Sequence, residues 1–92
     1  MKSVFQTRKV CFFCNAIKGL HSHHIFEGTA NRRKSEQYGF KVWLCAPHHN
    51  MSNEGVHFNK EKDIRLKQMA QTHFELQQSR EVFIQEFGKS WL

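Results

Sequence analysis

Two short pairs of metal-ligand residues constrain this chain more than any other feature of its sequence. They are Cys11-x-x-Cys14 and Cys45-x-x-His48, and 30 residues separate Cys14 from Cys45. A tight turn between two thiolates directs both sulfur atoms inward, and a second pair from elsewhere in the chain completes the tetrahedron that Zn²⁺ prefers. The spacing predicts a structural zinc site with three cysteines and one histidine. His49 is the alternative to His48, because a C-x-x-x-H spacing is also workable.

The length and the cysteine count favour a metal over disulfides. A chain of 92 residues has room for one domain with a modest core, and such domains often need a metal or a disulfide as reinforcement. Three cysteines cannot pair completely, and no apolar signal segment precedes them. We therefore expect thiolate ligands in a reducing cytosol. No stretch approaches the roughly 20 apolar residues that span a bilayer, so no membrane partner is expected.

The charge balance points to a polyanionic partner. Lysine and arginine outnumber aspartate and glutamate by 14 to 8, which gives a formal charge of +6. Nucleic acid is the expected partner, although a solvated basic surface without a partner would have the same balance. The basic residues are spread along the chain and suit phosphates rather than base edges. Phosphate contacts do not read sequence, so low sequence specificity is expected.

The apolar pattern predicts two strands joined by a long connection. Leu20–Phe26 mixes apolar and polar positions as a short strand does, and Tyr38–Leu44 is rich in aromatic and β-branched residues. The segment Glu27–Gln37 is polar and begins next to a glycine, which predicts a loop or irregular turn. These three segments together predict a hairpin with a basic connection.

Helices are predicted over the rest of the chain. Pro47 suits the first turn of a short helix. Asn59 has the chemistry of an N-cap for a helix that continues to about Gln78. Ser79 could cap a further helix that stops near Gly88. The chain is thus expected to be a single α+β domain over residues 1–92, with the ligands in 11–58 and a helical buttress in 59–92.

The histidines outside the predicted zinc site carry a resemblance to a known family. The motifs run in this order: His23-His24-Ile25, a glycine-containing loop, a second strand ending Leu44-Cys45, and Cys45-x-x-His48-His49. This order resembles the HNH endonucleases. The helix pair and the tail Phe87–Leu92 also resemble small phage and prophage HNH proteins. The resemblance implies a small ββα-metal domain (HNH, or His-Me finger) with a Cys₃His structural zinc knuckle and a C-terminal helical extension.

The resemblance also implies roles for individual histidines. His24 corresponds to the general base, and His23 and His49 correspond to ligands of a catalytic metal. The third ligand is His57 or, alternatively, Asn53. We favour His57, because neutral imidazole is a better ligand than an amide oxygen for most transition metals.

Two features of this sequence differ from what the resemblance implies for these residues. Phe40 stands where the family has the Asn that pins the loop carrying the base, so that loop must be held by Asn31 or by backbone contacts. His23 and His24 are also adjacent in the predicted strand, and adjacent strand residues point to opposite faces of a sheet. His21 would therefore share a face with His23, which makes it an outside candidate for a ligand.

The resemblance therefore implies a metal-dependent DNA endonuclease or nickase that hydrolyses phosphodiester bonds in phage or prophage DNA metabolism, such as packaging or recombination, with a packaging or recombination complex as a further partner. A neutral histidine can deprotonate water, and one divalent cation (Mg²⁺, Mn²⁺, Ni²⁺ or Zn²⁺) can neutralise charge on the scissile phosphate. Arg32, Arg33 and Lys34 could clamp a phosphate. The alternative is a catalytically silent, zinc-stapled DNA-binding or adapter module.

Overall fold

Two antiparallel strands form the sheet of this α+β fold. The computed structural model describes residues 2–92. Strand β1 (Leu20–His24) pairs with strand β2 (Lys41–Cys45), and His23 lies opposite Val42. All of β2 is buried except Trp43, which is partly buried. The strand is therefore covered on both faces, as expected for a run rich in apolar residues.

Four helices accompany the sheet. They are α1 (Thr29–Tyr38), α2 (Ala46–His49), α3 (Lys60–Phe74) and α4 (Arg80–Phe87). Helix α1 lies in the connection between the two strands, and α2 follows β2 without a break. No helix within residues 2–92 combines the length and the apolar composition needed to cross a bilayer.

The prediction of a loop over Glu27–Gln37 is wrong, because most of this segment belongs to α1. Among the ten described residues of that helix, only Ser35 is buried. The segment consequently lacks the apolar stripe by which amphipathic helices are recognised. Its alanine, arginine, lysine and glutamate residues are nevertheless good helix formers. Gly39 ends the helix in the left-handed conformation, with φ of 73°.

Three predicted element boundaries also differ from the structure. The first strand ends at His24 rather than at Phe26, and the second begins at Lys41 because Tyr38 is the last residue of α1. Helix α3 ends at Phe74 and not near residue 78. Pattern alone locates an element more reliably than its last turn.

The helix caps predicted from sequence are confirmed. The side-chain oxygen of Asn59 accepts a hydrogen bond from the Lys62 N–H, with the two atoms 3.1 Å apart. Ser79 accepts from the Val82 N–H at the same distance. Gly88, at φ of 95°, ends α4. Each cap satisfies a backbone group that the helix itself leaves unpaired.

An aromatic core fixes the helices at one end of the sheet. Phe26, just after β1, and Phe40, just before β2, are both about 1 % exposed. The Phe26 ring packs on Phe87 of α4 at a centroid distance of 4.5 Å and on Trp91 at 5.0 Å. The opposite end of the sheet, where Cys45 pairs with Leu20, carries the zinc-knuckle candidate Cys45, whereas His23 and His24 lie toward the aromatic end.

Candidate metal centres

The four predicted zinc-knuckle residues form one cluster that can bind a metal such as zinc. Their ligand atoms all lie within 4.8 Å of one another. The sulfur atoms of Cys14 and Cys45 are 3.7 Å apart, and Nδ1 of His48 is 3.6 Å from Sγ of Cys11 and 3.2 Å from Sγ of Cys45. Tetrahedral Zn²⁺ with ordinary bond lengths keeps neighbouring ligand atoms roughly 3.5–3.8 Å apart. The residues therefore fit the ion.

Backbone hydrogen bonds build the turn that carries the first two thiols. The Asn15 N–H donates to the Cys11 carbonyl, and the Cys11 N–H donates to the Ala16 carbonyl, both at 2.9 Å. Asn15 adopts φ of 64°, which asparagine tolerates better than most residues. The Phe12 N–H donates to the Trp43 carbonyl at 2.8 Å and so fastens the turn to β2, close to Cys45.

The thiols of this cluster differ in acidity. Burial raises the pKa of Cys11, but hydrogen bonds from backbone N–H groups, led by that of Cys45, outweigh it and lower the pKa to about 6. Burial and the neighbouring thiols raise the pKa of Cys45. A bound cation would favour deprotonation of all three, since the thiolate is the ligand form.

A second cluster consists of His23, His49 and His57, whose ligand nitrogens also lie within 4.8 Å of one another. Nε2 of His49 is 3.1 Å from Nε2 of His57. Nε2 of His23 is buried and has no hydrogen-bond partner among residues 2–92. A buried imidazole nitrogen without a partner is costly unless something absent from the polypeptide satisfies it. A cation bound by these three histidines would satisfy the His23 nitrogen.

The loop after α2 carries His57 to this cluster. The Val56 N–H donates to the His48 carbonyl at 2.9 Å, and the His57 N–H donates to the His49 carbonyl at 3.2 Å. A Cβ on Gly55 would lie 2.8 Å from the His49 carbonyl oxygen, so this approach requires glycine. Gly55 was missed by the sequence reasoning, because its close approach to His49 depends on how the loop folds back.

Of the two candidates for the third ligand, the structure brings His57 to His23 and His49. Asn53 is exposed in the turn that follows α2. Ser52 shapes that turn, since its hydroxyl donates to the Pro47 carbonyl and accepts from the Glu54 N–H. The geometry thus favours His57.

Two histidines of this cluster, the buried His23 and the half-buried His49, are held in the form that binds metals. Burial, together with the neighbouring histidines His49 and His57, lowers the pKa of His23 to about 3. Burial, together with His57 and His21, lowers the pKa of His49 to about 4. Both imidazoles are therefore neutral near pH 7, and neutral imidazole is the form that binds metals.

His24 lies beside this cluster but points to a different partner. Its Nε2 is 3.0 Å from Oε1 of Glu36, whose Oε2 in turn accepts from Nζ of Lys41 at 2.7 Å. Hydrogen bonds from Lys41 and then His24 lower the pKa of Glu36. His24 nevertheless lines the same cavity, of about 160 Å³, as the three clustered histidines. Glu36 was missed because its segment was predicted to be a loop.

The basic triplet predicted to contact phosphate lies on α1 instead of a loop. Arg32 lines the cavity next to the histidines. Arg33 is exposed. Lys34 donates to the Glu86 carbonyl and lies 3.4 Å from the Glu86 carboxylate, so it fastens α1 to α4. Of the three, Arg32 is the residue that lies next to the clustered histidines.

Ser35 holds the segment just after β1. Its hydroxyl accepts from the Phe26 N–H at 3.1 Å and donates to the Phe26 carbonyl at 3.0 Å. The Ile25 N–H also donates to the Phe40 carbonyl. The Asn31 side chain instead reaches the Phe87 carbonyl in α4, 3.5 Å away. Backbone contacts and the buried Ser35 therefore hold this segment, and the Asn31 side chain does not.

Comparisons of the chain with protein-family models, with curated proteins and with solved structures gave no match.

Proposed function

We propose that this protein is a metal-dependent DNA endonuclease or nickase of the HNH type. The observation that carries the proposal is that one cavity is lined by His23, His49 and His57, by His24 and by Arg32. This cavity combines a metal-ligand set, a candidate proton acceptor and a candidate phosphate contact. Those are the three groups that hydrolysis of a phosphodiester requires.

The cation would be held by the three clustered imidazoles. The residues fit it, because His23 and His49 are neutral near pH 7 and His23 Nε2 has no partner within residues 2–92. A divalent cation bound there would neutralise charge on the scissile phosphate and on the leaving 3′-oxygen. Mg²⁺, Mn²⁺, Ni²⁺ and Zn²⁺ are the candidates.

His24 is the proposed general base. Glu36 accepts a hydrogen bond from Nε2–H of His24, which leaves Nδ1 with the lone pair that takes a proton from water. The same carboxylate fixes the orientation and the tautomer of the ring, as a carboxylate paired with a catalytic histidine does. Lys41, which is 4 % exposed, holds the other carboxylate oxygen and limits the orientations open to Glu36.

The remaining elements hold the substrate and the site in place. Arg32 is positioned to make a charge-assisted contact with a phosphate oxygen at the cavity. The zinc knuckle fastens α2 to the turn at Cys11, and α2 carries His49. The activity would belong to phage or prophage DNA metabolism, in packaging or recombination. With phosphate contacts predominating, low sequence specificity is expected.

A catalytically silent, zinc-stapled DNA-binding or adapter module is the second candidate. Phe40 occupies the position of the family asparagine and is buried in the aromatic core, which favours this candidate. Nicking of supercoiled plasmid separates the two. Cutting that requires both a divalent cation and His24 supports the nuclease. Binding without cutting, by folded protein that contains zinc, supports the module.

A further inference from the structure

We propose that His21 is a positioning residue for a cation bound by His23, His49 and His57, and that it acts by accepting a hydrogen bond from His49. The proposal rests on the metal-binding part of the proposed function. The geometry that carries it is the placement of His49 between two partners. Nε2 of its ring is 3.1 Å from His57 Nε2, and Nδ1 is 2.8 Å from His21 Nδ1.

The two nitrogens of a metal-binding imidazole have different duties. When neutral imidazole binds a cation through Nε2, its proton resides on Nδ1 and needs an acceptor. Nδ1 of His21 lies 2.8 Å from Nδ1 of His49, so it can accept that proton in a hydrogen bond. The hydrogen bond selects the tautomer of His49 that leaves Nε2 free and restrains rotation of its ring. Such partners typically change metal affinity by about 10–100-fold.

The fold puts His21 in this place through the period of the strand. His21 and His23 are two residues apart in β1, so both side chains leave the same face of the sheet. Both rings meet His49 edge to face, at centroid distances of 4.9 Å for His21 and 5.3 Å for His23. His49 is therefore held between them at the end of α2.

His21 differs from the three clustered histidines in what it can offer. It faces Nδ1 of His49, whereas the cluster is built around His49 Nε2. It is also exposed, while His23 is buried. Removing an exposed ring should leave the fold intact, so the effect of a substitution can be assigned to the metal site.

The test measures metal binding and requires no nuclease activity. Protein carrying one zinc per chain is titrated calorimetrically with Ni²⁺, an ion suited to imidazole ligands, and its zinc content is checked afterwards. We expect His21→Ala to weaken the second binding event by about 10–100-fold with unchanged stoichiometry. His21→Asn should restore affinity to within a few-fold, since its amide oxygen can accept the same hydrogen bond. His73→Ala removes another exposed histidine, on α3, and should bind as wild type.

Four results would overturn the proposal. Wild-type affinity in His21→Ala would show that the contact contributes nothing. A lost binding event in that variant would make His21 a ligand, and affinity in His21→Asn as weak as in His21→Ala would exclude the hydrogen bond. A wild type that binds no second metal removes the site itself. In contrast, if the protein binds the second metal normally but does not cut DNA, the proposed nuclease activity is wrong and the proposed role of His21 still stands.

Discussion

His48 and His49 are consecutive in the chain, yet their imidazoles belong to different clusters. Nδ1 of His48 is 3.2 Å from Sγ of Cys45, whereas Nε2 of His49 is 3.1 Å from Nε2 of His57. Successive side chains on a helix point roughly 100° apart, so the single turn of α2 can serve both clusters. A metal in the knuckle would consequently fix one ligand of the second cluster.

Exchanging each of these two histidines for alanine should separate the clusters. We expect His48→Ala to lose zinc and to lower the melting temperature by at least about 10 °C, because zinc binding contributes directly to folding. His49→Ala should keep that zinc and fail to bind a second metal. Metal analysis and thermal unfolding followed by circular dichroism measure both quantities. The opposite pattern would mean that His49 is the knuckle ligand.

Gly55 should be necessary for metal binding although it cannot itself be a ligand. A methyl group there would meet the His49 carbonyl oxygen at 2.8 Å, so Gly55→Ala should displace the loop that carries His57. We expect at least a tenfold loss in affinity for the second metal and about 1–3 kcal/mol less stability, as overpacking typically causes.

Asn53→Ala is the comparison for Gly55→Ala, because it alters an exposed residue of the same turn. It should leave metal binding unchanged. If Asn53→Ala abolishes the second binding event while His57→Ala does not, Asn53 is the third ligand and the assignment of His57 is wrong.

The buried His23 should make the fold sensitive to acid. Its pKa of about 3 in the folded state lies below the ordinary value of 6.5, so the unfolded chain binds more protons between these limits. Its contribution is complete above pH 6.5 and declines as the pH falls, by about 2 kcal/mol between pH 6.5 and 5. Denaturant unfolding of wild type and His23→Gln, each with one zinc, measures the difference. A difference that stays constant with pH would contradict the burial of a neutral His23.

The composition of the second cluster should determine which ion binds best. Three imidazoles without a carboxylate suit Ni²⁺ and Zn²⁺, whereas Mg²⁺ prefers oxygen ligands and retains its water. We expect Ni²⁺ to bind at least about tenfold more tightly than Mg²⁺ at this cluster, with Mn²⁺ between them. Titration of the zinc-loaded protein with each ion provides the ranking. Tighter binding of Mg²⁺ would place the second metal on other residues.

The sequence was informative where spacing and ligand chemistry coincide. The C-x-x-C and C-x-x-H pairs predicted the knuckle residues, and the remaining histidines included the three of the second cluster. The N-caps Asn59 and Ser79 were recognisable because their side chains act locally. Each of these predictions depends on a few neighbouring residues, or on a set of residues that share one preferred ligand geometry.

The sequence was uninformative where polar residues acquire a role through packing. Helix α1 buries only Ser35 among its described residues. Its sequence therefore shows no stripe of apolar residues at helical spacing. With that helix unrecognised, the contact between Glu36 and His24 could not be foreseen. The close approach of Gly55 to His49 likewise depends on how the loop folds back, which no local pattern encodes.

Nicking of supercoiled plasmid tests the central claim most directly. Wild type, His24→Ala and His73→Ala, each verified as folded and zinc-loaded, are incubated with Mg²⁺, Mn²⁺, Ni²⁺ or EDTA. We predict cation-dependent nicking by wild type and His73→Ala, no nicking in EDTA, and a rate at least about 100-fold lower in His24→Ala, with second-metal affinity unchanged. Cutting by His24→Ala at the wild-type rate would contradict the assignment of the base. Absence of cutting with every cation, in protein that binds both metals, would contradict the nuclease itself.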